Sequence, residues 1–355
     1  MAGRIAGGVA RWRGPTFGAV LLVFGAWLVL AVPAVAEDAL PPEQAGDGEE
    51  VDEDGFEEQE WDRALHRFEL AEGVDVVGEE QTAEAGADDT LLDVAKRYAV
   101  GYEQIRMANP GVDTWLPGEG AEIRIPSRYI LPDAPREGVV INLAEMRLYH
   151  YPEDENVVEV FPVSIGRMDW STPLGRTEVT GKIQDPAWYP PESIRKQAEQ
   201  RGETMPREVP PGPDNPLGRH AILLDISGYL LHGTNRPWGI GMRATHGCIR
   251  LHPRDIDYLY DQLAVGTSVK IVNQPFQAGW SADGLLYLQA FPFFEEDEPK
   301  RAERVELAVE SVARALGDAV HRVDGGQVRA AADEQDGRIY RVSRTNAVPR
   351  WGAEE

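Results

Sequence analysis

The chain has 355 residues, with 35 basic and 60 acidic side chains and a net charge of −25 at pH 7. That balance argues against nucleic acid or anionic lipid as a partner, because phosphate recognition calls for the opposite sign. One cysteine, Cys248, excludes an internal disulfide framework. At the start of the chain, Arg4, Arg11 and Arg13 precede an apolar run from Phe17 to Val32, closed by Ala34-Val35-Ala36 and followed by Glu37 and Asp38. This is the layout of a secretory signal peptide over residues 1–36, cleaved after Ala36. A run of sixteen is short for a spanning helix, which needs about 20 apolar residues, so an uncleaved anchor is the alternative. Removing the segment deletes three arginines and no acid, taking the net charge from −25 to −28. Residues 37–67 read as an acidic, disordered linker: 37–60 hold twelve acids and no base, and such a stretch repels itself and stays solvated.

Order is expected from about Phe68, with a first strand near Val74 to Val77. Thr90-Leu91-Leu92-Asp93 opens a helix, with Thr90 as N-cap and an acid at N3, and Val94, Ala95 and Tyr98 continue its spacing. A second helix carries Tyr102, Ile105 and Ala108 and stops at Asn109-Pro110-Gly111. Leu116-Pro117-Gly118 and Ala121-Glu122-Ile123-Arg124-Ile125-Pro126 supply a turn and a closing strand. This strand, helix, helix, strand order over residues 68–128 resembles a LysM module, a glycan-binding unit of cell-wall proteins. Asp88 stands where that pattern usually has glycine.

From Gly138 the pattern turns to strands. Val139 to Asn142 and Met146 to Tyr151 read as a hairpin, and Val157 to Ile165 as a further strand. Residues 184–219, rich in proline, aromatics and charge, read as an irregular insert of the kind that forms lids. Ala221 to Ile226 and Tyr229 to His232 follow as strands, the second delivering His232 at its end. Pro253 starts a helix with Ile256, Leu259, Tyr260 and Leu263 on one face, ended by Gly266, and Val269 to Val272 returns as a strand. A β-hairpin extension is expected over 276–294. A helix within about 300–316 and a polar tail fill 295–355.

The chemistry gathers around Cys248. A lone cysteine is by default a small buried hydrophobe, but this one lies in Thr245-His246-Gly247-Cys248-Ile249-Arg250, sixteen positions after His232-Gly233-Thr234-Asn235. A thiolate made available by a nearby imidazolium is a strong nucleophile. His232 is placed to take the thiol proton and return it to a leaving amine, with the Gly233 carbonyl orienting its ring. Backbone N–H groups at His246, Gly247 and Cys248 are candidates for an oxyanion hole. Arg250 projects to the same side as Cys248 and suits a substrate carboxylate. Asn235 is a further candidate contact, and Trp238 and Met242 either line the cleft or pack beneath the loop. His150, His220 and His252 read as strand or surface histidines, and Asp255 as first-turn helix charge. A zinc site from His232, His246 and Cys248 lacks the usual ligand spacing, so no metal or cofactor is expected.

The ordered set of His232-Gly233-Thr234-Asn235, Gly239-Ile240-Gly241 and Thr245 to Arg250, with Ile141-Asn142-Leu143, Thr172-Pro173-Leu174-Gly175 and Gly212-Pro213-Asp214-Asn215-Pro216 upstream, resembles the YkuD-type L,D-transpeptidases. Arg250, where many members have asparagine, and the short gap between His232 and Thr245 fit the LysM-bearing subgroup of diderm bacteria. Some of that subgroup attach Braun's lipoprotein to peptidoglycan. The resemblance implies a mainly β fold, with a β-sandwich catalytic domain over 136–275 carrying one prominent helix, and a periplasmic location. It implies that Cys248 attacks the diaminopimelate carbonyl of a tetrapeptide stem and expels D-alanine. The thioester would then pass to another diaminopimelate, to a lipoprotein lysine or to water. His232 would be the base, Gly233 its orienter and His246 a neighbour of the oxyanion hole, with Thr245 and Arg250 positioning substrate. The expected partners are peptidoglycan stem peptides and glycan, with a Braun-type lipoprotein as a candidate acceptor. An L,D-carboxypeptidase acting on the same stem and a non-catalytic peptidoglycan-binding protein are the alternatives.

Overall fold

The computed structural model describes residues 66–167 and 172–344. The expected signal peptide, nearly all of the acidic linker and the last residues of the tail lie outside the described residues. Among the described residues, no helix is long and apolar enough to cross a membrane.

The first part of the chain forms β1 (Arg67–Glu69), β2 (Val76–Gly78), β3 (Gln81–Glu84), α1 (Leu91–Arg97), α2 (Tyr102–Ala108), β4 (Glu122–Ile125) and β5 (Arg128–Ile130). Thr90 caps α1 in a reciprocal box. Its hydroxyl accepts from the Asp93 N–H, and the Asp93 carboxylate accepts from the Thr90 N–H. Asn109 closes α2 against β4, donating to Ile105 O and Arg124 O and accepting from Arg124 N, all at 2.8 Å. β3 pairs antiparallel with β4, so residues 81–125 form a βααβ unit around Leu91, Val94, Ile105, Ile123 and Ile125.

Two details differ from the sequence expectation. The valines at Val76 and Val77 do form a strand, but β2 pairs with β5 outside the βααβ unit. The true first strand, Gln-Thr-Ala-Glu, buries only Ala83 and so carried little apolar signal. β1, expected inside the same module, instead pairs with a strand of the large sheet, Phe68 opposite Val158.

The large sheet is built from β6 (Gly138–Asn142), β7 (Arg147–Tyr151), β8 (Val157–Gly166), β9 (Gly175–Gln184), β10 (His220–Leu224), β11 (Leu230–His232), β12 (Arg243–Thr245), β13 (Ile249–Leu251) and β14 (Ser268–Val272). α3 (Glu192–Gln200) lies in the insert and α4 (Pro253–Gln262) follows β13. The strand path β8-β13-β11-β10-β9-β14-β6-β7 closes on itself, because β7 also pairs with β8. β8 and β9 make this possible. Each is ten residues long and changes partner along its length: β8 from β7 to β13, and β9 from β14 to β10. The result is a mainly β sandwich whose two layers share their corner strands.

Its interior holds Ile141, Leu148, Val163, Val179, Ile222, Leu231, Ile249 and Leu251, with Ile256 and Leu259 from α4 and Leu263 at its C-cap. Burying each such side chain contributes roughly 1.5–3 kcal/mol. The opposite face of β6–β8 is also covered, by Tyr129, Leu131 and Val77, which explains why β7 is buried at every residue.

The hairpin of β15 (Phe276–Trp280) and β16 (Leu286–Ala290) is extended by α5 (Arg301–Leu316), α6 (Gly325–Glu334) and β17 (Ile339–Arg341). β17 pairs with β16, and both helices pack on this three-stranded sheet through Ala308, Val312, Val328, Ala331 and Ala332. The expectation of a polar tail after a single helix is therefore corrected over residues 321–344. The apolar face of α6 consists of two alanines and one valine, too weak a stripe to announce a helix. α3 was likewise hidden, because only Ile194 and Ala198 mark its buried side.

A buried polar knot ties these parts together. Glu145, in the β6–β7 turn, accepts from Asn142 (2.9 Å), Arg147 (3.0 Å), Tyr149 (2.8 Å) and Gln277 of β15 (3.0 Å). Its backbone carbonyl accepts from Gln104 of α2.

Candidate active site

β11 and β13 lie side by side and parallel, with Leu231 opposite Ile249 and His232 opposite Arg250. Leu231 and Ile249 fill the interior. Alternation then turns His232, Arg250 and Cys248 to the other face, where Cys248 ends the turn entering β13. Cys248 is partly exposed, and its thiol lies 3.5 Å from Gly228 O.

The turn that presents Cys248 is braced from three sides. Thr245 is buried, and its hydroxyl donates to Cys248 O at 2.6 Å. Thr172 Oγ1 donates to Gly247 O at 2.8 Å. Gly247 has φ +101°, a conformation that glycine tolerates and a side chain resists. β12 pairs in parallel with the end of β8, and Arg167 N donates to Thr245 O at 3.1 Å.

His232 is 5% exposed, and its Nδ1 donates to Gly233 O at 2.7 Å. A carbonyl only accepts, so in the neutral ring Nε2 carries the lone pair. Burial first, then the positive charge of Arg250, pushes His232 down to about 4, with the Gly233 carbonyl opposing. Burial pushes the Cys248 thiol up from its ordinary value, opposed by the backbone at Leu230 and by Arg250. Both shifts favour the uncharged form. Burial therefore works against a resting thiolate–imidazolium pair, since it disfavours the charged form of each group. Arg250 is itself pushed down by burial and by Arg236, and its Nε is buried without a hydrogen-bond partner.

His246 takes a hydrogen bond from Arg167, Nη2 to Nε2 at 3.0 Å. Arginine has no acceptor, so His246 Nε2 is unprotonated in this contact. Burial, then Arg167, Arg250 and Arg201, push its pKa down.

The remaining candidates lie further out. Asn235 Nδ2 donates to Asp214 O at 3.1 Å, tying the loop after His232 to the insert. Trp238 is 58% exposed and lines a cavity of about 80 Å³ against Leu92 and Ala95 of α1; neither Cys248 nor His232 lines it. Among the described residues, no three His, Cys, Asp or Glu side chains gather as a metal site. Sequence reasoning overlooked Arg167 and Gln197. Arg167 belongs to no motif and reaches the site only through the pairing of β8 with β12.

The insert is anchored at its base by Asn215, fully buried, whose amide donates to Pro186 O (2.8 Å), Val209 O (3.3 Å) and Pro210 O (3.1 Å). From that base α3 reaches the site, where Gln197 Oε1 accepts from Arg167 at 3.2 Å.

The YkuD family model, an L,D-transpeptidase catalytic domain, matches residues 136–271. A probable L,D-transpeptidase of Escherichia coli K12, ErfK/SrfK, is 39% identical over 277 residues, covering 77% of this chain and 89% of that protein. The chain belongs to the YkuD family of L,D-transpeptidases. Another probable L,D-transpeptidase of Escherichia coli K12, YcfS, is 38% identical over 283 residues, 78% of this chain and 88% of that protein. The catalytic domain of an Enterococcus faecium L,D-transpeptidase, solved by NMR, aligns at 20% identity and a TM-score of 0.31 over 39% of this chain and 99% of that domain. The YkuD match spans β6 to β14 up to Ile271, and so takes in the β11–β13 pair, the insert and α4.

Proposed function

We propose that this YkuD enzyme cuts and transfers tetrapeptide stems of peptidoglycan in the periplasm, with Cys248 as nucleophile and His232 as base. One observation carries the assignment. His232 donates through Nδ1 to Gly233 O on the strand that runs parallel beside Cys248 and Arg250, leaving Nε2 as the basic atom on their face. Because burial disfavours the charge on both groups, proton transfer accompanies attack in this reading. His232 Nε2 takes the thiol proton as the Cys248 sulfur bonds to the diaminopimelate carbonyl carbon. The tetrahedral oxyanion rests against the N–H groups of the Gly247–Cys248 turn, with His246 beside it. Collapse breaks the carbon–nitrogen bond, and His232 returns the proton to the departing D-alanine amine. An amine then attacks the thioester, its proton passes through His232 to the sulfur, and Cys248 is restored. Arg250, with its buried Nε unpartnered, suits the carboxylate of the leaving D-alanine.

The amine is a second diaminopimelate or the lysine of a Braun-type lipoprotein; water in its place gives carboxypeptidase activity. Residues 1–36 act as the export signal in this reading, and the βααβ unit within 68–128 acts as a LysM-like glycan module ahead of the catalytic domain. The test is incubation with tetrapeptide muropeptides. Wild type releases D-alanine and Cys248→Ala does not, and mass spectrometry of the products names the acceptor. Equal release by both proteins overturns the assignment.

A further inference from the structure

Arg167 is the feature that the mechanism above does not use. It is an exposed cation at the end of β8, in a protein whose acids outnumber its bases 60 to 35. Several exposed arginines have a carboxylate partner, as Arg176, Arg301 and Arg338 do. Arg167 has none among the described residues. Its guanidinium is shared between two neutral groups, His246 Nε2 at 3.0 Å and Gln197 Oε1 at 3.2 Å. Its backbone is fixed to the catalytic turn by the bond from Arg167 N to Thr245 O. On the other side of the turn, Arg250 also lacks a carboxylate among the described residues, and Arg236 adds its field there. Arg201, at the end of α3, is already paired with Glu203 at 2.9 Å.

Arg250 on β13 and Arg167 between His246 and α3 thus both lack a carboxylate partner among the described residues, and the charge of each is felt at His246. An anion arriving beside His246 is favoured by both charges.

We propose that Arg167 is a specificity residue for the donor. It binds a second carboxylate of the stem peptide, one distinct from the carboxylate that meets Arg250 and held on the α3 side of His246. The inference rests on the peptidoglycan reading and deepens it. A planar guanidinium suits bidentate capture of a carboxylate, and Gln197 keeps it aimed while the site is empty. Two free carboxylates besides that of D-alanine occur on a stem containing diaminopimelate. One is on the acidic second residue and the other on the far end of diaminopimelate.

The test is a substrate-by-enzyme cycle. Donors are the tetrapeptide with all carboxylates free, and two singly amidated forms, one at each of those positions. Wild type, Arg167→Gln and Arg167→Lys are compared by kcat/KM for D-alanine release. Calorimetric binding of the same three donors to Cys248→Ala, with and without Arg167→Gln, supplies a readout that needs no turnover. Arg167→Gln is expected to lose about 10- to 100-fold on the free donor, the range for a hydrogen bond to a charged group. It is expected to lose almost nothing on one of the amidated donors, which identifies the carboxylate, and Arg167→Lys should recover part of the loss. Equal losses on all three donors, in turnover and in binding, overturn the proposal and leave Arg167 as a support for His246. No loss on any donor overturns it as well. If wild type releases no D-alanine yet binding shows the selective loss, the reaction assignment fails while the carboxylate site stands.

Discussion

Replacing Gly241 with alanine should loosen the loop that joins His232 to Cys248. This loop packs against the βααβ unit. Tyr102 N donates to Ile240 O at 2.9 Å, and Glu103 N donates to Gly241 O at 3.2 Å. Gly241 has φ +87°, and a Cβ there would lie 2.4 Å from Gly101 Cα and 2.5 Å from Tyr102 N. Those neighbours are backbone and cannot rotate away. The left-handed conformation costs roughly 1–2 kcal/mol for a residue with a Cβ, and loss of the two hydrogen bonds adds about 0.5–1.5 kcal/mol each. The expected loss is about 2–5 kcal/mol, a large share of the stability of a typical domain. Urea unfolding followed by far-UV circular dichroism measures it, with D-alanine release as the functional readout. Gly239→Ala is the control within the same loop, because its Cβ would meet only Met242 Sδ at 4.0 Å. Equal midpoints and equal rates for the two variants would refute the claim that this contact braces the loop.

Two further predictions follow from the buried state of the site. With burial pushing the thiol above its ordinary range, Cys248 is expected to stay largely protonated at pH 7. Its alkylation by iodoacetamide should climb about tenfold per pH unit from 6 to 8; a plateau with a midpoint below 7 would show an ion pair instead. His66, His232 and His252 are each pushed down by burial from 6.5 to about 4. The unfolded chain takes up protons below 6.5 while the folded chain resists until about 4. The stability these groups contribute is therefore complete above 6.5 and is lost as pH falls toward 4, at up to about 3 kcal/mol for each fully buried ring. His66→Gln, which leaves the catalytic groups untouched, should flatten the fall of the urea midpoint across that window; parallel curves for wild type and variant would count against the linkage.

Much of the chemistry was legible because it is carried by short, local patterns. The Thr90 cap, the Asn109 stop and Pro253 at the head of α4 are decided by residues within one turn of each other, and so they can be read along the chain. The ordered run from His232 to Arg250 likewise identifies the family before any coordinate is known, and it supplies the nucleophile and base proposed above. The elements that stayed hidden had few apolar residues, such as Gln81–Glu84, or had partners far away in sequence, such as β1 against β8 and β17 against β16.

The sequence by itself therefore determined the family, the two helices of the N-terminal unit and the strand-rich character of the catalytic domain. Only the tertiary structure showed that burial disfavours the charged forms of Cys248 and His232, with Arg250 opposite His232 in a parallel pair. It also decided that β8, by pairing with β12, brings Arg167 to His246. Strand pairing and desolvation are set by groups distant along the chain, and local spacing carries no trace of them.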